Sequence, residues 1–422
     1  MARFGRALKN RNYRLFFSGQ SISLIGTWLT RVAISWLVYR LTKSAFLLGL
    51  VSFAGQIPMF LFASIAGVWV DRLNRHRILI VTQVLAMIQS ALLAFFTLTG
   101  KITIGDILAL SIFQGFINTF DMPTRQAFVI GMLESREDLP NAIALNSSMV
   151  NMAGLVGPSV AGILIATVGE GGCFTIDAIS YLAVIASLLM MRIQPPAAPT
   201  RVHKRMHNEL AESFRYAITF KPVLAILLIL ALSSFMGMPC MVLLPMIVSS
   251  RLHEGAALLG YLTAFSGLGA LVGALYLASR KSVLGLGRVI YTADATLGLA
   301  LIGFSFSRLP ILSMFFIFFV GLGLMVQLAA GNTILQTIVE EDKRGRVMSL
   351  YTMAVAGMVP FGSLFSGIIA KYVGAAPTLF IGGLFCILGA IAFYRALPFI
   401  AEKIRPIYRD LGILPQLENE PS

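Results

Sequence analysis

The sequence has few charged residues and few cysteines, and both scarcities narrow the class of protein. Asp, Glu, Lys and Arg make up 12% of its 422 residues, hydrophobic residues make up 57%, and the mean hydropathy is +0.83. This balance excludes an ordinary soluble domain and leaves room for about twelve membrane spans of ~20 residues. Cys173, Cys240 and Cys386 are isolated in apolar segments without a CxxC spacing, which excludes a disulfide framework and a zinc site.

Motifs of enzymes and of ATP-driven pumps are missing as well. The sequence has no phosphate-binding glycine loop, no zinc-ligand spacing and no nucleophile–base arrangement, so we expect no enzyme, no cofactor and no bound metal. A formal net charge of +14 would suggest nucleic acid as the partner of a soluble protein. Here the cations fall in short loops, where they set membrane topology, and we expect no nucleic-acid partner.

Apolar segments predict six spans, a polar linker and six more spans. The first six cover about residues 14–40, 44–70, 77–99, 104–133, 141–168 and 172–192; the second six cover about 222–249, 256–279, 287–307, 311–338, 346–372 and 376–398. This pattern predicts an all-α membrane protein. We expect an N-terminal six-helix half at 1–192, a cytoplasmic linker at 193–221, a C-terminal half at 222–398 and a cytoplasmic tail at 399–422.

Lys and Arg are concentrated in alternate connections and near both termini, which predicts that both ends of the chain are cytoplasmic. The opposite side is poor in cations and has these alone: Arg40, Lys43, Lys101, Arg251, Arg308 and Lys371.

Three charged residues lie at membrane depth in the first half, namely Arg31, Asp121 and Arg125. A charge at this depth is costly unless it is paired or hydrated, which makes each of them a candidate functional residue. Asp121 and Arg125 are four residues apart, so they lie one helical turn apart on the same face and can neutralise each other.

The connection after the second span resembles a signature of the major facilitator superfamily. It reads Gly67-Val-Trp-Val-Asp71-Arg72-Leu-Asn74-Arg75-His76-Arg77 and is similar to GxxxDRxGRR, with Asn74 at the second glycine. We expect Gly67 to allow a close helix approach and Asn74 to adopt a left-handed turn. The predicted gating loop consists of Gly67, Asp71, Arg72, Arg75 and Arg77. The alternative is a solvated loop that only sets topology.

The fifth span contains a second signature, Ala153-x-x-x-Gly157-Pro158-x-x-Ala161-Gly162, which resembles the antiporter motif of drug exporters. Small residues let helix backbones pack closely, and Pro158 is expected to bend the span where a cavity opens and closes. Gly157, Pro158 and Gly162 therefore form a predicted hinge, with ordinary small-residue packing as the alternative.

One branch of the superfamily, the bacterial enterobactin exporters and related secretion effectors, is matched more closely. Gly26-Thr27-Trp28 with Arg31, and Asp121-x-Pro123-x-Arg125-Gln126, resemble that branch in order and spacing. The resemblance implies two six-helix halves in a bacterial cytoplasmic (inner) membrane, with spans 1, 4, 7 and 10 around a central cavity.

The fourth span departs from the family pattern at Ser111. The motif RxxQG keeps its Gln114 and Gly115, but Ser111 replaces the arginine that is linked to proton coupling in relatives. Either Arg125 takes over that task, or the protein couples differently or not at all.

Seven residues form the predicted proton-coupling and substrate cavity: Arg31, Asp121, Arg125, Gln114, Asn118, Asn332 and Gln336. We expect Arg31, Asp121 and Arg125 to form one cluster in which Asp121 exchanges a proton when the arginines move away. The alternative is a static ion pair that locks helix packing. Asp177 and Asp294 lie nearer the ends of their spans and are expected to be hydrated, which gives them less weight as proton carriers.

The resemblance implies a monomeric secondary transporter with protons and the lipid bilayer as partners. Its expected substrate is a small amphiphilic or anionic molecule, siderophore or drug-like, exported by alternating access. Two alternatives stay open: a lipid or lysophospholipid flippase of the same fold, and a membrane receptor or scaffold that does not transport.

Overall fold

The computed structural model describes residues 6–133, 135–192, 215–216, 218–280 and 282–414, and helices make up nearly all of this part of the chain. The spans are numbered here α1 to α12. They are α1 Arg11–Thr42, α2 Ala45–Arg72, α3 Arg75–Leu98, α4 Ile104–Phe128, α5 and α6 within Leu139–Leu189, α7 in two pieces, Lys221–Met236 and Cys240–Ser250, α8 Ala256–Ala278, α9 Leu286–Phe306, α10 Pro310–Ile338, α11 Glu341–Thr352 continuing to Met358–Val373, and α12 Ala375–Asp410.

Twelve spans are present within the described residues, as the hydropathy predicts. Ten helical segments are long and apolar enough to cross a membrane. One of them has 51 residues and breaks at Gly169, whose φ of 74° ends α5 at 168 and lets α6 begin at 170. The twelfth is α4, which is less apolar because it carries Asp106, Asp121 and Arg125. The all-α, twelve-helix fold class is therefore confirmed.

Local sequence signals fix where several spans begin and end. Thr103 and Asp106 form a reciprocal capping box at the start of α4, with the Asp106 carboxylate accepting from the Thr103 N–H at 2.9 Å. Lys43, with φ of 51°, ends α1. Gly374, with φ of 88°, separates α11 from α12. These caps keep the connections between neighbouring spans short.

The last helix continues beyond the predicted end of the twelfth span at 398. Ile400, Ile404 and Tyr408 are buried at intervals of four residues, so this stretch packs one apolar stripe against the second half. Most of the predicted linker at 193–221, and residues 415–422 of the predicted tail, lie outside the described residues.

One end of the molecule, called here the termini end, brings together Arg6, 72–75, 136–138 and 190–192. Arg6 forms ion pairs with Glu137 at 2.8 Å and Asp138 at 2.7 Å. The side chain of Asn12 exchanges hydrogen bonds with the backbone of Arg192. These contacts bring the start of α1, the connection before α5 and the end of α6 to the same end of the molecule. The charge pattern predicts the same grouping. The opposite end, called here the far end, carries 43–44, Gly169, 251–255 and Gly374.

The two halves contact each other along α2 with α11 and along α5 with α8, toward the far end. A Cβ atom on Gly162 would lie 2.7 Å from the carbonyl oxygen of Ala256, and one on Gly367 would lie 2.8 Å from that of Ala45. Side chains would separate these backbones, so glycine is what permits the contact. Toward the termini end, a Cβ on Gly67 would meet no atom of the described residues within 4 Å, and Trp69 and Leu73 are exposed. The space between the halves therefore opens toward the termini end.

Candidate functional site: a central polar cavity

Two pairs of amide side chains lie on the spans that the resemblance places around a central cavity, one pair in each half. The Gln114 side-chain N–H donates to the Asn118 side-chain oxygen at 3.1 Å on α4, and Gln336 donates to Asn332 at 3.0 Å on α10. Asn118 and Gln336 are exposed. An amide facing lipid would lack hydrogen-bond partners, so exposure at this depth indicates a water-filled space.

Asp121 and Arg125 form the ion pair that their spacing predicts. The carboxylate of Asp121 also accepts from Gln83 Nε2 at 2.7 Å and Thr82 Oγ1 at 3.0 Å, both on α3. Asp121 is 5% exposed, whereas the side chain of Arg125 keeps 26% of its surface exposed. The carboxylate thus has a cation, an amide and a hydroxyl as donors, and these bonds tie α4 to α3.

Arg31 lies away from that pair. Its guanidinium carbon lies 4.9 Å from the centroid of the Trp28 ring on the same helix, and the residue is exposed. Among the described residues Arg31 forms no ion pair with Asp121, so the predicted three-residue cluster is wrong as an ion-paired unit. The reason is that the carboxylate of Asp121 is bonded to α3, while the guanidinium of Arg31 packs on the indole of Trp28.

The predicted hinge motif surrounds Trp28. A Cβ on Gly157 would lie 2.7 Å from the Trp28 Cβ, and one on Gly154 would lie 3.4 Å from the indole ring. On the other side of α5, Gly162 contacts the backbone of α8. The small residues of the motif therefore let α5 touch α1 and the opposite half at once, and Pro158 lies buried between these contacts.

The gating loop differs from its predicted geometry at two positions. Gly67 permits no close approach here, because the halves are apart at the termini end. Asn74 is not left-handed: its φ is −70°, and its side-chain oxygen accepts from the backbone N–H of His76 at 3.0 Å and of Arg77 at 3.2 Å. Asn74 therefore begins α3 as an N-cap, a role that asparagine fills well. Arg72 and Arg77 are exposed and Arg75 is partly exposed, whereas the side chain of Asp71 lies outside the described part of the structure.

Ser111, which stands where relatives have an arginine, is buried at the contact of α4 with α2. A Cβ on Gly55 would lie 3.7 Å from the Ser111 carbonyl oxygen and 3.8 Å from its Cβ. Ser111 is thus a packing residue in this conformation. Arg125 lies nearly four turns further along α4.

Asp177 and Asp294 are deeply buried, and the expectation that they are hydrated is wrong. They are 1% and 0% exposed. Asp177 on α6 accepts from Thr30 Oγ1 at 2.6 Å and Ser90 Oγ at 2.7 Å, and Asp294 on α9 accepts from Ser233 Oγ at 2.7 Å. The position of a residue along its span does not predict its burial, because burial depends on which neighbouring helix covers the carboxyl. Hydroxyl residues on α1, α3 and α7 supply the covering partners.

Comparison with known proteins shows the family to which this chain belongs. The family model described as transmembrane secretion effector matches residues 6–407. A staphyloferrin A transporter of Staphylococcus aureus is 25% identical over 397 residues, which are 93% of this chain and 97% of the relative. The multidrug efflux pump Tap of Mycolicibacterium fortuitum is 27% identical over 389 residues, which are 89% and 93% of the two chains.

A solved structure shares the fold. A bacterial homologue of the human lysosomal transporter Spinster, in an inward-facing and unoccupied conformation, superposes with a TM-score of 0.73 at 14% sequence identity. The match covers 93% of this chain and 98% of that chain.

Proposed function

Because the chain belongs to the transmembrane secretion effector family of major facilitator transporters, we propose that it exports a siderophore or a drug-like molecule by proton-driven alternating access. The observation that carries the substrate side of this proposal is Arg31. Its guanidinium has no carboxylate partner among the described residues and lies on the Trp28 indole. An unpaired cation beside an aromatic ring at membrane depth suits an anionic or amphiphilic molecule.

The amide pairs extend this proposed binding surface across both halves. Gln114 with Asn118 on α4 and Asn332 with Gln336 on α10 offer donors and acceptors that a polar substrate can use. Within each pair one N–H already has an acceptor, and the remaining groups, among them the Gln114 Oε1 that is unpartnered within the described chain, are open to a substrate. The proposed cavity is therefore positive on the N-terminal side and neutral but polar on the C-terminal side.

Alternating access is supported by the difference between the two ends. The halves, proposed to be residues 1–192 and 222–398 joined by a linker, are in backbone contact at the far end and apart at the termini end. The cation distribution favours a cytoplasmic termini end. This conformation then admits substrate from the cytoplasm, and the opposite one releases it after the far-end contacts separate.

Transport in proteoliposomes tests the proposal, with staphyloferrin A and erythromycin as the probes. Vesicles with an acidic lumen should accumulate at least one probe, and dissipating the pH gradient should remove the accumulation. Arg31→Gln should raise the apparent KM by about tenfold, the loss of one charge-assisted interaction of ~1.5 kcal/mol, without lowering the unfolding temperature.

Arg14→Gln is the matched control, because Arg14 is exposed near the start of the same helix. It should transport like wild type. Loss of folded protein in Arg31→Gln would instead assign Arg31 a structural role. Movement of a fluorescent lysophospholipid between leaflets, with neither probe transported, would favour a flippase.

A further inference from the structure

Asp294 is enclosed by helices of the C-terminal half, and no cation lies beside it among the residues that the structure describes. Its Oδ1 contacts Ser233 on α7, its Oδ2 has no hydrogen-bond partner within the described chain, and a Cβ on Gly389 of α12 would lie 3.3 Å from Oδ2. The titratable group facing it from α12 is the buried thiol of Cys386, while α10 presents the neutral amide of Gln327. An ionised carboxylate here would have no compensating charge among the described residues.

The hydrogen bonds around Ser233 are compatible with a proton on Asp294. The Ser233 hydroxyl has one hydrogen but two acceptors in reach, the Ile229 carbonyl oxygen at 2.9 Å and Asp294 Oδ1 at 2.7 Å. Gln327 Nε2 already donates to Ser233 Oγ at 2.7 Å. If Asp294 is a carboxylic acid, it can donate to Ser233 Oγ while Ser233 donates to Ile229, and the atoms of this network left without a partner in the described chain are Asp294 Oδ2 and Gln327 Oε1. If Asp294 is ionised, Ser233 donates to it, and the Ile229 carbonyl oxygen keeps its backbone helix bond and the approach of Gln327 Nε2 at 3.5 Å.

The helix that carries Ser233 is interrupted nearby. The first piece of α7 ends at Met236 and the second begins at Cys240, with Gly237 packed against α9 and α10. Interrupted membrane helices can bend at the break and change the contacts of the preceding turn. Ser233 lies within that turn, so bending of α7 would withdraw it from Asp294.

We propose that Asp294 carries an exchangeable proton in the C-terminal half, kept by Ser233 and released when α7 bends at its break. On release, the carboxyl O–H bond breaks, the proton passes to a water molecule from the cavity, and the carboxylate keeps the electron pair. The proposal rests on the proposed proton-driven transport and assigns its proton site. Asp121, which has three donors including Arg125, serves as a positioning group.

Asp177 provides the matched control. It too is buried with hydroxyl donors and no cation, and its Oδ1 has no partner in the described part of the chain. Its donors, however, lie on α1 and α3, which are continuous helices. We expect Asp177 to stay neutral without exchanging its proton.

Infrared spectroscopy of the full-length protein in lipid tests this directly through the C=O band of protonated carboxyls. Raising the pH should remove one such band in wild type, and Asp294→Asn should lack that band. Asp177→Asn should lack a band that persists at high pH. If the titrating band survives unchanged in Asp294→Asn, the proposal is wrong. Should Asp294→Asn not fold, Asp294→Glu must shift the frequency of the titrating band, and an unshifted band is equally decisive.

Transport gives the functional readout. With staphyloferrin A and erythromycin as probes, Asp294→Asn should lose accumulation driven by a pH gradient but keep exchange of probe at equal pH on both sides, whereas Asp177→Asn should keep both. Full pH-driven accumulation in Asp294→Asn would overturn the proposal. If wild type accumulates neither probe, the proposed function fails for these substrates, while the infrared titration still decides whether Asp294 holds the proton.

Discussion

The far end and the termini end of the molecule use glycine in opposite ways. At the far end, a Cβ on Gly260 would lie 2.5 Å from the Pro158 carbonyl oxygen and 2.8 Å from the Gly162 Cα. At the termini end, a Cβ on Gly67 would have no neighbour within 4 Å in the part of the chain that the structure describes. A motif glycine therefore does not by itself indicate a backbone contact in a given conformation. In a protein that alternates between two states, such a contact can belong to the other state.

The largest effect should come from filling the far-end contact. Gly260→Val places branched carbon atoms against the backbone of α5, which cannot rotate away as a side chain can, and should cost the observed conformation roughly 3 kcal/mol, the upper part of the range for overpacked sites. We expect the far end to separate and transport to fall sharply. Spin labels on Lys43 and Tyr372, exposed residues beside the α2–α11 contact, should move apart.

Gly67→Val is the control for that experiment. It adds the same carbon atoms at a position with free space and should leave the label distances as in wild type. Unchanged distances in Gly260→Val would mean that the glycine contact does not hold the far end closed.

The next effect concerns what keeps the N-terminal half rigid while the termini end is open. Asp121→Asn leaves Arg125 without its anion and should lower stability by roughly 2 kcal/mol, below the usual cost of breaking a buried pair because Arg125 is partly exposed. Thermal unfolding in detergent measures the change. Asp121→Asn combined with Arg125→Gln should recover most of the loss; a double variant as unstable as the sum of the single ones would show that the two residues act separately.

The sequence predicts more of the fold than of the candidate site. Span count and the Asp121–Arg125 pair follow from hydropathy and helical spacing, which are local properties, and both were predicted correctly. The partners of each charge are set by helices distant in sequence. Asp121 turned out to be oriented by Thr82 and Gln83 on α3, and Arg31 by Trp28. No spacing rule within one helix contains that information.

The same limit explains the buried carboxyls. In the sequence, Asp177 and Asp294 are polar residues near the ends of their spans. In the structure, Thr30 on α1 and Ser90 on α3 cover Asp177, and Ser233 on α7 covers Asp294. The role of Asn74 shows a related limit, since a left-handed turn and an N-cap are both common for asparagine. The φ of Asn74 and the hydrogen bonds of its side chain distinguish them, and neither can be read from the sequence.

A smaller effect should follow from removing the cap at the termini end. Asn74→Ala deletes the acceptor for the N–H groups of His76 and Arg77 and should lower stability by about 1 kcal/mol. Asn74→Asp and Asn74→Gly separate the two interpretations of this position. An N-cap predicts that Asp preserves stability at least as well as Gly, whereas a left-handed turn predicts that Gly is clearly better. Unfolding temperatures of the three variants decide between them.

The smallest effect on stability is expected at Gly67. Gly67→Ala adds a methyl group in free space within a helix, so the unfolding free energy of the observed conformation should change by no more than ~1 kcal/mol, with helix propensity favouring alanine. Transport should nevertheless slow, because closing the termini end would bring α2 against its neighbours, and the methyl group would then hinder a close approach. If Gly67 serves a contact that forms only when the termini end closes, the variant should keep its stability in the observed conformation and lose transport rate. Normal turnover in Gly67→Ala would show that the glycine serves no close contact in either state, and the motif would then owe its importance to its charged residues alone.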